Sequence, residues 1–169
     1  KIVKPRLGCT GFSWEERYAV VYPVWARQGV KISVPEEEMI EAIRELWGNP
    51  DLYFVLHFGK YDVGYSKKVE NIQMRNYDLD TGLASYAVDC RRGIHSLKDW
   101  MPRLGMDVNT IQLYQYQRAH PESNPRNLGG DMTLVPGLIQ YPYNAADCDA
   151  TKRLENYLMP ILMGEENEK

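Results

Sequence analysis

The stretch Lys67–Arg92, KKVENIQMRNYDLDTGLASYAVDCRR, decides how this chain is read. Its spacing predicts two strands joined by a turn at Asp78-Leu79-Asp80-Thr81-Gly82, since Gly, Asp and Asn supply the positive φ that hairpin turns need. On the first strand Ile72 and Met74 share one side, and Gln73, Arg75 and Tyr77 the other. On the second, Ala84, Tyr86, Val88 and Cys90 share a face opposite Ser85, Asp89 and Arg91. One apolar and one polar face is the pattern of an antiparallel pair laid on a core.

Upstream, residues 51–60 (DLYFVLHFGK) are apolar on both faces and predict a central strand, with residues 61–66 linking it to the hairpin. Residues 35–47 give the clearest helix. Met39, Ile40, Ile43, Leu46 and Trp47 make an apolar stripe at helical spacing. Ser33 and Glu36 fit a capping box, Pro35 suits the first turn, and Gly48-Asn49-Pro50 ends the helix. Residues 17–34 predict two strands about a turn at Gln28-Gly29. In Leu7–Trp14 (LGCTGFSW), two glycines around a Cys-Thr pair predict a turn or a close backbone approach. This opening, with Tyr22-Pro23 beyond it, resembles the start of a family of uncharacterised TIM-barrel proteins. The chain is short for such a barrel and no strand-helix repeat follows, so no residue role is carried over.

Downstream, residues 96–104 predict a short helix with a Ser96–Asp99 capping box, kinked by Pro102. Residues 109–118 (NTIQLYQYQR) predict a strand with Ile111 and Leu113 inward and Gln112, Tyr114, Tyr116 and Arg118 outward. Residues 119–131 have no periodicity and predict a long loop of the kind that is often functional. Residues 132–142 suggest a last strand, interrupted at Pro136-Gly137. Asn144 caps a final helix with Leu154, Tyr157, Leu158 and Ile161 on one side. The fold class is α+β: one domain over residues 1–163, a largely antiparallel sheet of about five to seven strands, and two main helices packed on one face. Residues 164–169 form an acidic, flexible tail.

Composition narrows the function classes. The 169 residues carry a net charge of −3, with 44% hydrophobic and 25% charged residues, ordinary for a soluble globular domain. No apolar run is long enough to cross a membrane, so no membrane partner is expected. No secretory leader is expected either. Three scattered cysteines without a Cys-x-x-Cys point to free thiols and a cytoplasmic, reducing setting. Twelve tyrosines against three phenylalanines suit half-wet interfaces and clefts.

Two functional readings compete. The leading one is a non-catalytic binding or assembly module. Its outward sheet face of Gln73, Arg75, Tyr77, Arg91, Gln112, Tyr114, Tyr116 and Arg118, with the 119–131 loop, would contact a protein partner or a second copy of the chain. Nucleic acid is a further possible partner, because rings stack on bases and Arg pairs with phosphate. The alternative is a metal-dependent phosphodiester hydrolase or phosphoryl/nucleotidyl transferase using Asp78 and Asp80; Asp147 and Asp149, flanking Cys148, are a second acidic pair. Mg2+ is expected only under that alternative, and no other cofactor is expected. Cys90 and His95 are weaker candidates for nucleophilic catalysis. No zinc spacing, EF-hand, P-loop, dinucleotide fingerprint or nucleophile elbow is present.

Overall fold

The computed structural model describes residues 7–24, 30–107 and 111–164. The chain opens with an antiparallel hairpin of β1 (Cys9–Glu15) and β2 (Tyr18–Pro23). Arg17 closes the turn in the left-handed region at φ 67°. An antiparallel hairpin is not the parallel strand-helix-strand opening that a TIM barrel requires. The turn expected at Gln28-Gly29 lies outside the described residues. Residues 30–34 are not in a strand.

Helix α1 (Glu36–Gly48) forms where its periodicity predicts and buries Ile40, Ile43 and Trp47. It starts from Pro35 with no side-chain cap, so the expected Ser33 box does not form. Three glutamates in the first turn complement the helix dipole instead. The central strand expected over 51–60 shortens to β3 (Phe54–Leu56), and α2 (Lys60–Glu70) occupies the expected link. Asn71, left-handed at φ 52°, ends α2.

The expected hairpin is not formed. Residues 77–80 are a strand, β4 (Tyr77–Asp80), but it runs parallel to β3, and residues 81–88 are helix α3 (Thr81–Val88). The reason is local. Asp-Thr-Gly serves a turn and a helix start equally well, because an Asp carboxylate can cap the first free amides. Asp80 accepts from Gly82 N at 2.9 Å and Leu83 N at 3.2 Å. The same carboxylate also accepts from Phe58 N at 2.9 Å, Gly59 N at 3.1 Å and the Tyr77 hydroxyl. Gly82 is required by close approach, since a Cβ there would lie 2.6 Å from the Phe58 ring.

Beyond α3, α4 (Leu97–Trp100) begins at Ser96, whose amide donates to the Asp99 carboxylate at 3.1 Å as the capping box predicts. A 3-10 turn over Met101–Leu104 follows. Residues 111–119 form helix α5 (Ile111–Ala119), not the expected strand. Leu113 and Gln117, one turn apart, are its buried positions, so the Tyr/Gln alternation is incidental to a helix rich in helix-forming glutamines. The expected last strand is absorbed into α6 (Gly137–Leu162), which starts seven residues before Asn144 and contains Pro142 and Pro160.

The α+β class holds, in one domain. Its sheet content is smaller than predicted: among the described residues there are two two-stranded ladders, one antiparallel and one parallel. Helix α6 is the spine, packed on β1, β2, α3, α4 and α5. One core gathers Val24, Ile40, Ile43, Trp47, Ile72 and Met74 around α1. A second gathers Ala84, Trp100, Leu154 and Leu158 between α3, α4 and α6. Asp80→Ala removes an acceptor shared by five donors and should lower the unfolding free energy by about 2–3 kcal/mol in a urea titration. The exposed Asp78→Ala should stay within about 0.5 kcal/mol of the wild type.

Candidate active site

Two helices carry carboxylates near enough for the charge of one, Asp62, to act on the other, Asp147. Asp62 is the third residue of α2 and Asp147 lies midway along α6. Tyr143, one helical turn before Asp147, hydrogen-bonds to its carboxylate. Burial raises the Asp147 carboxyl to about 6. The Tyr143 hydrogen bond and the charge of Lys98 on α4 act in the opposite direction, while the Asp62 charge adds to the rise. Asp62 is also raised, chiefly by the protein packed around it and further by the charge of Asp80. Its residue surface is nonetheless open to solvent. Burial and the neighbouring Asp147 keep the Tyr143 phenol protonated, so it serves as a donor.

The stretch of α6 around Asp147 lies in close contact with β1. A Cβ on Gly11 would fall 2.1 Å from Asn144 Oδ1 and 2.6 Å from Cys148 Sγ, so only glycine lets the strand lie on the helix here. This is the close backbone approach expected from the Gly8–Gly11 segment. Asn144 lies inside α6 and does not cap it, and its Oδ1 is buried without a hydrogen-bond partner. Burial, with the charge of Asp147, pushes the Cys148 thiol up to about 12, so it stays a thiol.

The residues singled out from the sequence are dispersed. Asp78 is exposed on β4, and the Asp80 carboxylate is fully engaged in its five hydrogen bonds. Cys90 is exposed while His95 is buried, with Nδ1 2.8 Å from Ser85 Oγ and Nε2 2.5 Å from the Arg91 carbonyl oxygen, so no Cys-His pair forms. Arg91 pairs with its neighbour Asp89 at 2.6 Å. Gln73 and Arg75 lie in the irregular segment before β4, Tyr77 is in β4, and Gln112, Tyr114, Tyr116 and Arg118 are on α5. The proposed open sheet face therefore does not exist. Alternation over a few polar residues does not distinguish a strand from a helix whose inner positions are one turn apart. Asp62 was missed, and Asp147 was grouped with Asp149, which instead pairs with Arg153 at 2.9 Å. The available signal was the Tyr143-x-x-x-Asp147 spacing, which stacks a phenol over a carboxylate on one helix face.

A family model described as 3'-5' exonuclease matches residues 6–163. The chain is 34% identical over 130 residues to a DNA polymerase of Escherichia phage T5, covering 70% of this chain and 14% of that protein. It is 26% identical over 167 residues to a DNA polymerase of Bacillus phage SP01, covering 98% of this chain and 17% of that protein. The chain thus spans less than a fifth of the length of these curated relatives. No solved structure matches it. The exonuclease match overturns the reading as a non-catalytic binding or protein-contact module. By its match over residues 6–163, the chain belongs to the 3'-5' exonuclease family.

Proposed function

We propose that this chain is a metal-dependent 3'-5' exonuclease unit of a DNA polymerase, hydrolysing phosphodiester bonds from the 3' end of a nucleic-acid strand. The observation that carries the reading is the exonuclease family match over residues 6–163, supported by Asp62 and Asp147 on separate helices lying near enough for the charge of one to act on the other. It keeps the hydrolase chemistry considered from the sequence but moves it from Asp78 and Asp80 to a different carboxylate pair.

The donor set fits a hard divalent cation. Two carboxylates raised by burial, one of them further by the other's charge, are relieved by a positive ion between them. Among the described residues no cluster of three or more His, Cys, Asp or Glu is placed to hold a metal. A pair is still sufficient for Mg2+, which commonly takes one or two carboxylates and completes its shell with water and substrate phosphate. Asp62 and Asp147 would hold it. When bound, such an ion neutralises phosphoryl charge and acidifies water. The remaining work falls to the chain. Tyr143 donates to Asp147 and fixes the direction its oxygens face. Lys98 offsets negative charge beside it.

Hydrolysis of a single-stranded oligonucleotide by the intact protein should fall by about a hundredfold or more in Asp147→Asn and in Asp62→Asn, and stay near wild type in Asp78→Asn. Wild-type rates in Asp147→Asn would refute the assignment. Millimolar Mg2+ or Mn2+ should raise Tm in the wild type and not in Asp147→Asn, as mass action on a folded-state site requires.

A second expectation concerns pH. The Asp147 proton is held up to about pH 6 in the folded chain but is lost near the ordinary 3.8 on unfolding. Between those values the folded state binds more protons. The stability this group contributes is therefore complete below about pH 4 and lost as pH rises through 6. In metal-free buffer Asp147→Asn should gain on the order of 1–2 kcal/mol over wild type at pH 7.5 and little at pH 4.5, read by urea unfolding.

A further inference from the structure

The short connection between β3 and α2, residues 57–59, is restrained from two sides. Phe58 sits in the left-handed region at φ 52°, where residues with a Cβ are uncommon. Such a conformation persists only where its surroundings over-determine it, and it concentrates at functional sites. The Asp80 carboxylate supplies one restraint, through the amides of Phe58 and Gly59. Gly59 is closed in as well: a Cβ there would lie 2.4 Å from the Leu56 side chain and 2.8 Å from the Tyr77 hydroxyl.

The second restraint does not involve Asp80. The hydroxyl of Thr81, a fully buried residue, donates to the Leu56 carbonyl at 3.1 Å, and His57 Nδ1 lies 3.0 Å from the same Thr81 oxygen. A hydroxyl has one proton to give, and a carbonyl has none. With that proton directed at Leu56, the Thr81 oxygen accepts, so His57 Nδ1–H is the donor. Burial lowers the imidazole, while the charge of Asp80 and the backbone of His95 act the other way, and the net direction is down. Near neutral pH the ring therefore carries a single proton, which this bond places on Nδ1. The relay runs from the His57 side chain through the first residue of α3 and back to the carbonyl just before His57. The His57 ring also meets the Phe58 ring edge-on, with centroids 4.6 Å apart.

We propose that His57 and Thr81 are positioning residues for the hydrolysis: their relay to the Leu56 carbonyl fixes the entry of the chain into α2 and, through it, the direction in which Asp62 presents its carboxylate. This rests on the exonuclease reading above. Asp62 lies in the first turn of α2, three residues after Gly59, so a rotation of residues 57–59 turns it with the helix. Asp80 restrains the amides of this junction, and the relay restrains its first side chain and the carbonyl before it. Neither restraint replaces the other.

The test compares Thr81→Val, which keeps the shape and loses the hydroxyl, with Thr81→Ser, which keeps the hydroxyl. It likewise compares His57→Leu with His57→Asn, whose side-chain amide can put a donor where Nδ1 stands. Two quantities are measured on the intact protein: steady-state hydrolysis of a single-stranded oligonucleotide well below Tm, and Tm at rising Mn2+. Thr81→Val and His57→Leu should lower kcat about tenfold or more with KM changed less than about twofold. Both should raise the Mn2+ concentration that gives half of the Tm increase by about fivefold or more. Thr81→Ser and His57→Asn should recover most of both losses. A merely structural role would lower the metal-free Tm and leave kcat and the Mn2+ midpoint unchanged, and that result would overturn the positioning role. Loss of cooperative unfolding in both Thr81→Val and His57→Leu would overturn it too, as would losses that the serine and asparagine variants fail to recover. Asp147→Asn hydrolysing at the wild-type rate would instead overturn the exonuclease reading on which it rests.

Discussion

The carboxylate of Asp80 sets the geometry on which the rest depends. It collects two amides immediately before α2, those of Phe58 and Gly59, and two at the start of α3, those of Gly82 and Leu83. One side chain thus fixes where both helices begin. Phe58 is held at φ 52°, a conformation that residues with a Cβ seldom adopt. Its ring fills the space that Gly82 leaves open. Burial acts to raise the Asp80 carboxyl, but the hydrogen bonds outweigh it and hold the group below its ordinary range. Asp80 therefore stays ionised as a structural anion. Three residues after Gly59, Asp62 inherits its position from this junction.

The second half of the site comes from the spine of the fold. Helix α6 is seated by Leu154 and Leu158, both fully buried, and by the bare backbone of Gly11 against Asn144 and Cys148. The result is a carboxylate, that of Asp147, whose burial is unfavourable to folding, placed where a second carboxylate adds to the strain. Such local conflict within an otherwise consistent sequence is typical of functional sites. Asp80 and Asp147 make the contrast plain. Both are desolvated, but one is surrounded by donors and ionises below the ordinary range, and the other has few and keeps its proton up to about pH 6.

Much of this was legible in the residues. The α1 stripe, the Ser96–Asp99 box, the close approach at Gly11 and the α+β class all follow from short-range rules of periodicity, capping and sterics. Other segments were ambiguous for stated physical reasons. Asp80-Thr81-Gly82 satisfies a turn and a helix cap alike, and the choice falls to the amides of Phe58 and Gly59, more than twenty residues away. Residues 111–119 alternate like a strand, yet Leu113 and Gln117 are the positions that meet the core. Residues 132–142 suggested a strand, but α6 takes up residues 137–142 and runs through Pro142, because its packing on β1, β2 and α3 outweighs one lost backbone hydrogen bond.

By itself, then, the sequence determined the class of fold, the best helix, two helix starts and a glycine that had to lie against something. What it could not determine was which aspartates are spent on the backbone and which are left to do chemistry. That distinction was settled only by tertiary structure. A carboxylate's protonation, and hence its use, depends on the donors and charges that distant segments bring within a few ångströms, and local spacing does not encode those distances.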